Sequence, residues 1–350
     1  VAEAEKYFKK ALAIRPNFDP ALIELAHVYE KQKKVGLAIQ TLKDYTALFP
    51  DRVNARIKLG ELLLRDKRYD EAERELQSIL KANKGNREVR LTLGLLYLEA
   101  KRYDEASEQF QDLAKRFPDD YRYPYLVGSA YEGKKDFSEA IRQFKTIPVK
   151  ADLYGNACMQ IGMILKKQGK IKEAVAFVEQ AIQHKKDPHL YAFLSSLQED
   201  DQDTAAAERT LQTGIQALPR NVDLLYALGA LYEKTNRFAE GIKQMEMVLQ
   251  IDPEHADALN FIGYSYADRG IHLDIAEKMI QKALRLKPGS GHIIDSLGWL
   301  YYRQNKIEEA LKYLREAAAI MPEDSTVAEH LGDAYLKAGR IKDAREAYER

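Results

Sequence analysis

His184, Asp187 and His189 form the one compact group in this sequence in which imidazoles and a carboxylate could meet a metal ion. Their spacing fits zinc-type motifs only loosely. Lys185 and Lys186 sit between them, where like charge opposes a cation, so a solvated loop is the expectation. Cys158 is the only cysteine, which rules out an intramolecular disulfide and leaves the redox compartment open. No histidine or other base lies near it in sequence, so an inert buried thiol is expected rather than a nucleophile. The chain has no G-x-x-x-x-G-K-[ST], no dinucleotide glycine fingerprint, no H-E-x-x-H and no G-x-S-x-G. The expectation is a protein without catalysis, metal or cofactor.

Bulk composition narrows the partners. The 350 residues carry 54 Lys+Arg against 54 Asp+Glu, so there is no net field to draw nucleic acid or an anionic membrane. No apolar run approaches the roughly 18 residues needed to span a bilayer. Charged residues make up 31%, and Gly and Pro only 19 and 11 positions, which excludes disordered and collagen-like classes.

What remains is recognition, and the elements that position it repeat. Pro16, Pro50, Pro118, Pro219, Pro253, Pro288 and Pro322 fall at whole multiples of about 34 residues, within a residue. Full units read 19–52, 53–86, 87–120, 121–154, 155–187, 188–221, 222–255, 256–290 and 291–324, with a half-unit at 1–18 and a clipped one at 325–350. Each unit has an apolar residue at its seventh position (Leu25, Leu59, Leu93, Leu228, Leu297), usually a small one at the eighth (Ala26, Gly60, Gly94, Gly229, Gly298), and a Tyr or Leu three further on (Tyr29, Leu63, Tyr97, Tyr232, Tyr301). These spacings put one stripe along a first helix. A second helix carries sets such as Ala106, Phe110 and Leu113. Glycine inside a helix costs roughly 1 kcal/mol relative to alanine, so its recurrence needs a steric reason: close approach of the partner helix. The terminal proline separates units.

The pattern resembles the tetratricopeptide repeat, whose W/L-x-x-L-G-x-x-Y … A-x-x-x-F-x-x-A … P positions it matches over nearly the whole chain. That resemblance implies an all-α solenoid, with antiparallel helix pairs stacked in a right-handed superhelix around a concave face. Within 256–320, ALNFIGYSYADRGIHLDIAEKMIQKALRLKP and HIIDSLGWLYYRQNKIEEALKYLREA resemble a bacterial subgroup with exported or lipid-anchored envelope members. This favours an envelope location over the cytoplasm. Three units depart from the rhythm. Pro148 comes early in 121–154, so its second helix should be short. Unit 188–221 lacks the Gly and Tyr and has the acidic turn QEDDQD. Unit 256–290 carries an extra turn residue. Changes of pitch are expected near 147–154 and 185–204.

In this family the second, fifth, ninth and twelfth positions of the first helix face the concave side. In the middle of the chain they read Ile57, Leu64, Leu91, Leu95, Leu98, Met159 and Met163, an apolar stripe that either binds a partner or is covered by neighbouring helices. Toward the C-terminus they read Asn260, Tyr264, Asp295, Trp299, Tyr302, Glu329 and Asp333, where aromatic anchors and acids would read a cationic or amide-rich partner. Some family members grip a terminal carboxylate with an asparagine at the ninth position. Here the ninth positions include no asparagine, so such a clamp is not expected.

The expected function is a protein-interaction scaffold or adaptor that captures a peptide or helix of a protein partner in the groove, with no nucleic acid and no membrane span. Two alternatives stand beside it. The array could be the recognition arm of an enzyme whose catalytic domain lies outside these residues, since both chain ends read as cut within a unit. It could also self-assemble through uncapped terminal repeats.

Overall fold

The computed structural model describes residues 2–349, and every regular element in them is an α-helix. The chain forms two compact units, Val1–Lys185 and Lys186–Arg350. The first holds α1 (Ala2–Ile14), α2 (Asp19–Lys31), α3 (Val35–Leu48), α4 (Val53–Arg65), α5 (Tyr69–Ala82), α6 (Arg87–Glu99), α7 (Tyr103–Arg116), α8 (Arg122–Gly133), α9 (Phe137–Phe144), α10 (Tyr154–Lys167) and α11 (Ile171–His184). The second holds α12 (Pro188–Asp200), α13 (Thr204–Ala217), α14 (Val222–Lys234), α15 (Phe238–Ile251), α16 (Ala256–Arg269), α17 (Leu273–Leu286), α18 (Gly291–Arg303), α19 (Ile307–Ile320), α20 (Ser325–Lys337) and α21 (Ile341–Tyr348). Each unit is a solenoid of antiparallel helix pairs.

Two backbone features separate the helices. At most repeat junctions a proline stops one pair, and at several a side-chain cap starts the next; Asn86 and Asn221, for example, accept the N–H of Val89 and Leu224 at 3.0 Å. Within each repeat the chain turns on a left-handed residue at the fifteenth position: Lys33, Lys67, Lys101, Lys135, Gly169, Gln202, Asn236, Gly270, Asn305 and Gly339. At Lys101 (φ 60°) the turn lets the Arg102 N–H donate to the Tyr97 carbonyl at 2.7 Å, so the last carbonyls of the helix are met.

The recurring glycines act as the spacing requires. A Cβ on Gly94 would lie 2.5 Å from Phe110 Cε1, and one on Gly298 would lie 2.6 Å from Leu314 Cγ. Each meets the ring or branch of the second helix of its own pair, so a side chain there would force the two helices apart. Ala106 and Ala310 are fully buried opposite them. Within each unit consecutive helices pack on one another, and first helices also touch across repeats, α4 on α6 and α16 on α18 among them.

A polar clasp ties neighbouring repeats and has no counterpart in the apolar stripe. Tyr97 Oη donates to Glu73 Oε1 at 2.8 Å, and Arg102 binds Glu73 Oε2 at 2.6 Å while its guanidinium lies 4.5 Å from the Tyr97 ring centre. The same arrangement recurs in the second unit. Tyr232 donates to Glu208 at 3.0 Å, and Arg237 binds Glu208 at 2.6 Å with its guanidinium 4.3 Å from the Tyr232 ring centre. Burial, then the bond to Glu73, pushes the Tyr97 hydroxyl up to about 12, so it stays a donor.

The three irregular repeats show their causes. Helix α9 has 8 residues where α7 has 14, because Pro148 ends that repeat early. In the 256–290 turn both Gly270 (φ 69°) and His272 (φ 49°) are left-handed, which absorbs the extra residue. Correspondingly, Gly263 meets Ile280, one residue later than its counterparts meet theirs. In 188–221, Ser195 fills the glycine position and is buried, and Thr210 donates to Gln198 at 2.8 Å.

Candidate functional site

The apolar positions of the middle repeats do not form an open stripe. Ile57 is 3% exposed and belongs to the core. Leu64, Leu91 and Leu98 are half-buried and pack against the same core. Met159 and Met163 are half-buried too, which leaves Leu95, at 37% exposure, as the one exposed member. Of the two readings of this stripe, burial favours coverage by neighbouring helices: successive first helices touch, α4 on α6 among them.

In the second unit the corresponding positions build a groove of about 470 Å³ across α14, α16, α18 and α20. Tyr226, Phe261 and Tyr264 supply aromatic wall, and Asp257, Asn260 and Asp295 supply polar wall. Tyr226 and Phe261 meet edge to face, with ring centres 6.4 Å apart. Asp257 and Asp324 have partners within the chain: Asp257 pairs with Lys287 at 2.6 Å, and Asp324 caps α20 by accepting the N–H groups of Thr326 and Val327.

Trp299 is not the exposed anchor its position suggests. It is 8% exposed, stacked between His330 (4.1 Å, 14°) and Tyr302 (4.7 Å, 12°), and its Nε1–H donates to Asp268 Oδ1 at 3.2 Å. Asp295 is likewise buried, at 5% exposure, with Oδ2 at 2.9 Å from His330 Nδ1. The reason is geometric: the first helices α18 and α20 touch, so position nine of one repeat faces position six of the next. Trp299 and His330 therefore form the floor behind the groove rather than its wall. Tyr302 is half-buried, with Lys337 Nζ 4.4 Å from its ring centre. Asp333 accepts the Tyr348 hydroxyl at 2.5 Å. Glu329 is exposed and lies outside the groove lining. Of the seven expected residues, Asn260, Tyr264 and Asp295 reach the groove.

The polar wall is incompletely satisfied. Asn260 Oδ1 and Asp295 Oδ1 are both buried without a hydrogen-bond partner. Such acceptors ordinarily find a donor, because an unmet buried group costs about 1–3 kcal/mol. Burial, then the charges of Asp268, Asp295 and Glu233, pushes the Tyr264 hydroxyl up to about 12, so it remains a neutral donor and acceptor at the groove's centre. The larger cavity of the first unit, about 530 Å³, differs in kind. Most of its charges are paired, with Lys43 on Glu71 at 2.5 Å and Arg56 on Glu75 at 3.0 Å, and Arg74 donates to the Asp70 carbonyl.

The sequence reading missed His330, Tyr226 and Phe261. His330 lies 35 residues after Asp295, one repeat on, and only the packing of successive first helices reveals the pair. The His184–Asp187–His189 group holds no metal geometry. Asp187 caps α12 through the His189 N–H at 2.9 Å, and no three His, Cys, Asp or Glu side chains among the described residues are placed to hold a metal ion. Cys158 is buried. No helix among the described residues is long and apolar enough to cross a membrane.

Paired helices at a fixed period, locked by glycine contacts and opening a groove across first helices, define a helical-repeat solenoid of the recognition type. The chain belongs to the tetratricopeptide repeat family: models of that repeat match residues 1–62, 31–89, 63–130 and 199–263, and related ones match 155–187 and 296–350. It is 36% identical over 173 residues to the TPR repeat-containing protein PA4667 of Pseudomonas aeruginosa, covering 49% of this chain and 29% of that protein. It is 26% identical over 200 residues to the aspartyl/asparaginyl beta-hydroxylase of Mus musculus, covering 53% of this chain and 27% of that protein. The chain thus spans less than a third of either relative. Yeast Tom70 superposes with a TM-score of 0.51 at 14% identity, covering 99% of this chain and 86% of that one, a likeness of fold alone.

Proposed function

We propose that this chain is a non-catalytic interaction scaffold that captures an extended or helical segment of a partner protein in the groove of its second unit. One observation carries the reading. Asn260 and Asp295, at the same position of successive first helices, each present a buried acceptor without a partner beside the aromatic wall of Tyr226, Phe261 and Tyr264. A segment with its own donors would meet these acceptors, and the rings would bury its apolar atoms. Capture is tested by crosslinking in the source cell with a photoreactive residue in place of Phe261. Tyr264→Ala with Asn260→Ala is expected to abolish the crosslinked partner while leaving helix content intact. Undiminished crosslinking in that double variant would remove the groove assignment.

A bacterial, envelope-facing location is the accompanying reading. The motif run within 256–320 supports the envelope reading, and the likeness to the Pseudomonas aeruginosa protein supports only the bacterial one. Fractionation of the source cell tests it, and recovery in the cytoplasmic fraction alone would sink it. The hydroxylase likeness bears on the enzyme-arm alternative, which predicts a catalytic domain in the same polypeptide.

A further inference from the structure

We propose that the groove selects its partner through a cationic side chain, the ammonium of a lysine or the guanidinium of an arginine, seated between Asn260 and Asp295. This rests on the reading of the groove as a peptide site and names the chemistry of its central contact.

The argument begins with the two acceptors. Asp295 is 5% exposed, one of its oxygens is engaged by His330, and Oδ1 has no partner. Asn260 Oδ1, one repeat earlier, is buried and equally unmet. Both residues line the same groove. A neutral backbone N–H brings one donor and could satisfy one of the two. An ammonium brings three donors and a guanidinium five, all with positive charge, so either could satisfy both.

Charge points the same way. No Lys or Arg side chain among the described residues lines the groove, and two cations of the repeat 256–290 are already committed: Arg269 pairs with Glu233 at 3.1 Å and Lys287 with Asp257 at 2.6 Å. The groove therefore keeps unmet acid character in a site with low solvent access, where an opposite charge gains more than it does in water. The aromatic wall fits as well. Tyr226, Phe261 and Tyr264 present ring surface to the groove, and a cation over such a ring is attracted by its electron-rich face. An acidic segment would place like charge against Asp295 and is excluded.

The test uses the 350-residue chain and four pools of capped nonapeptides, random at eight positions and carrying Lys, Arg, norleucine or Glu at the centre. Binding is read by anisotropy of a neutral dye, with emission of Trp299, the only tryptophan, as a second readout. The Lys pool, the Arg pool or both should bind about 10-fold or more tighter than the norleucine pool, the Glu pool should be weakest, and the preference should shrink with added salt. The ratio of Lys to Arg tells which head group fits. Asp295→Asn should bring the cationic and norleucine pools to within about 2-fold of each other. Asn260→Leu, which leaves the His330 pair untouched, should also reduce the preference, so the proposal does not depend on Asp295→Asn folding well. Equal binding of the Lys, Arg and norleucine pools overturns the cation assignment and leaves the groove reading standing. Failure of every pool to bind overturns both.

Discussion

At the scale of single residues, exposure separates contact from support. Trp299 and Tyr264 occupy the same position of successive first helices, yet Trp299 is sealed between two rings and Tyr264 opens into the groove. Their substitutions should fail differently. Trp299→Ala removes a large buried ring and leaves Asp268 without its indole donor, so it should cost roughly 3–5 kcal/mol, within the range for aromatic deletions in cores. Tyr264→Ala should cost about 1 kcal/mol or less of stability and still weaken peptide binding. Urea unfolding followed by circular dichroism, with binding measured on each folded variant, checks the pair. If Trp299→Ala proved as stable as the parent, its role as the floor of the groove would be wrong. The same contrast shows what sequence could tell about the site. The repeat register put Asn260, Tyr264 and Asp295 on the face where the groove lies. It could not say that Asp295 and Trp299 are covered, because His330, which covers them, lies one whole repeat away.

At the scale of elements, helix identity and pairing were legible because glycine, alanine and proline recur in phase. Two devices were not legible. The first is the left-handed turn residue at the fifteenth position, filled by Lys, Gln, Asn or Gly, so no single residue type marks it. Lysine in that conformation carries strain of roughly 1–2 kcal/mol that glycine does not, although glycine gives some of this back as unfolded-state entropy. Lys101→Gly should therefore stabilise the chain by about 0.5–1 kcal/mol, read as a higher urea midpoint with an unchanged slope. A lower midpoint would contradict the turn assignment. The second device is the clasp. The tyrosine reads in sequence as part of the apolar stripe, but its hydroxyl reaches back to the preceding repeat, where Glu73 or Glu208 also receives an arginine. Tyr232→Phe deletes the bond its hydroxyl donates to Glu208 and the one it accepts from Gln212 Nε2 at 3.2 Å, and leaves Glu208 held by Arg237, so its cost should be about 1–2 kcal/mol. Hydrogen exchange should localise that loss to α13–α15. A loss spread evenly over the second unit would mean the clasp is not a junction device.

At the scale of the whole molecule, stability in a repeat array is a sum of each repeat and its contacts with neighbours. The second unit makes this testable, since its buried clusters succeed one another along the chain rather than merging in one centre. Gly298→Leu puts a branched side chain where a Cβ alone would already lie 2.6 Å from Leu314 Cγ and 3.1 Å from the Leu314 backbone nitrogen. The side chain can yield, but the backbone atom cannot without parting α18 from α19. Overpacking of this kind costs typically 1–3 kcal/mol and sometimes more. The damage should fall first on 291–324, then on 256–290 and 325–349 through α16, α17 and α20, which touch this pair. Helices α12 and α13 share no contact with it and should keep their exchange protection. The groove lies on the damaged repeats, so peptide binding should fall in step with protection of α16 and α18, whereas a variant distorting only α12–α13 should leave binding intact. Protection lost to the same degree from α12 to α21 would instead make the second unit a single cooperative body, and the groove could not then be tuned one repeat at a time.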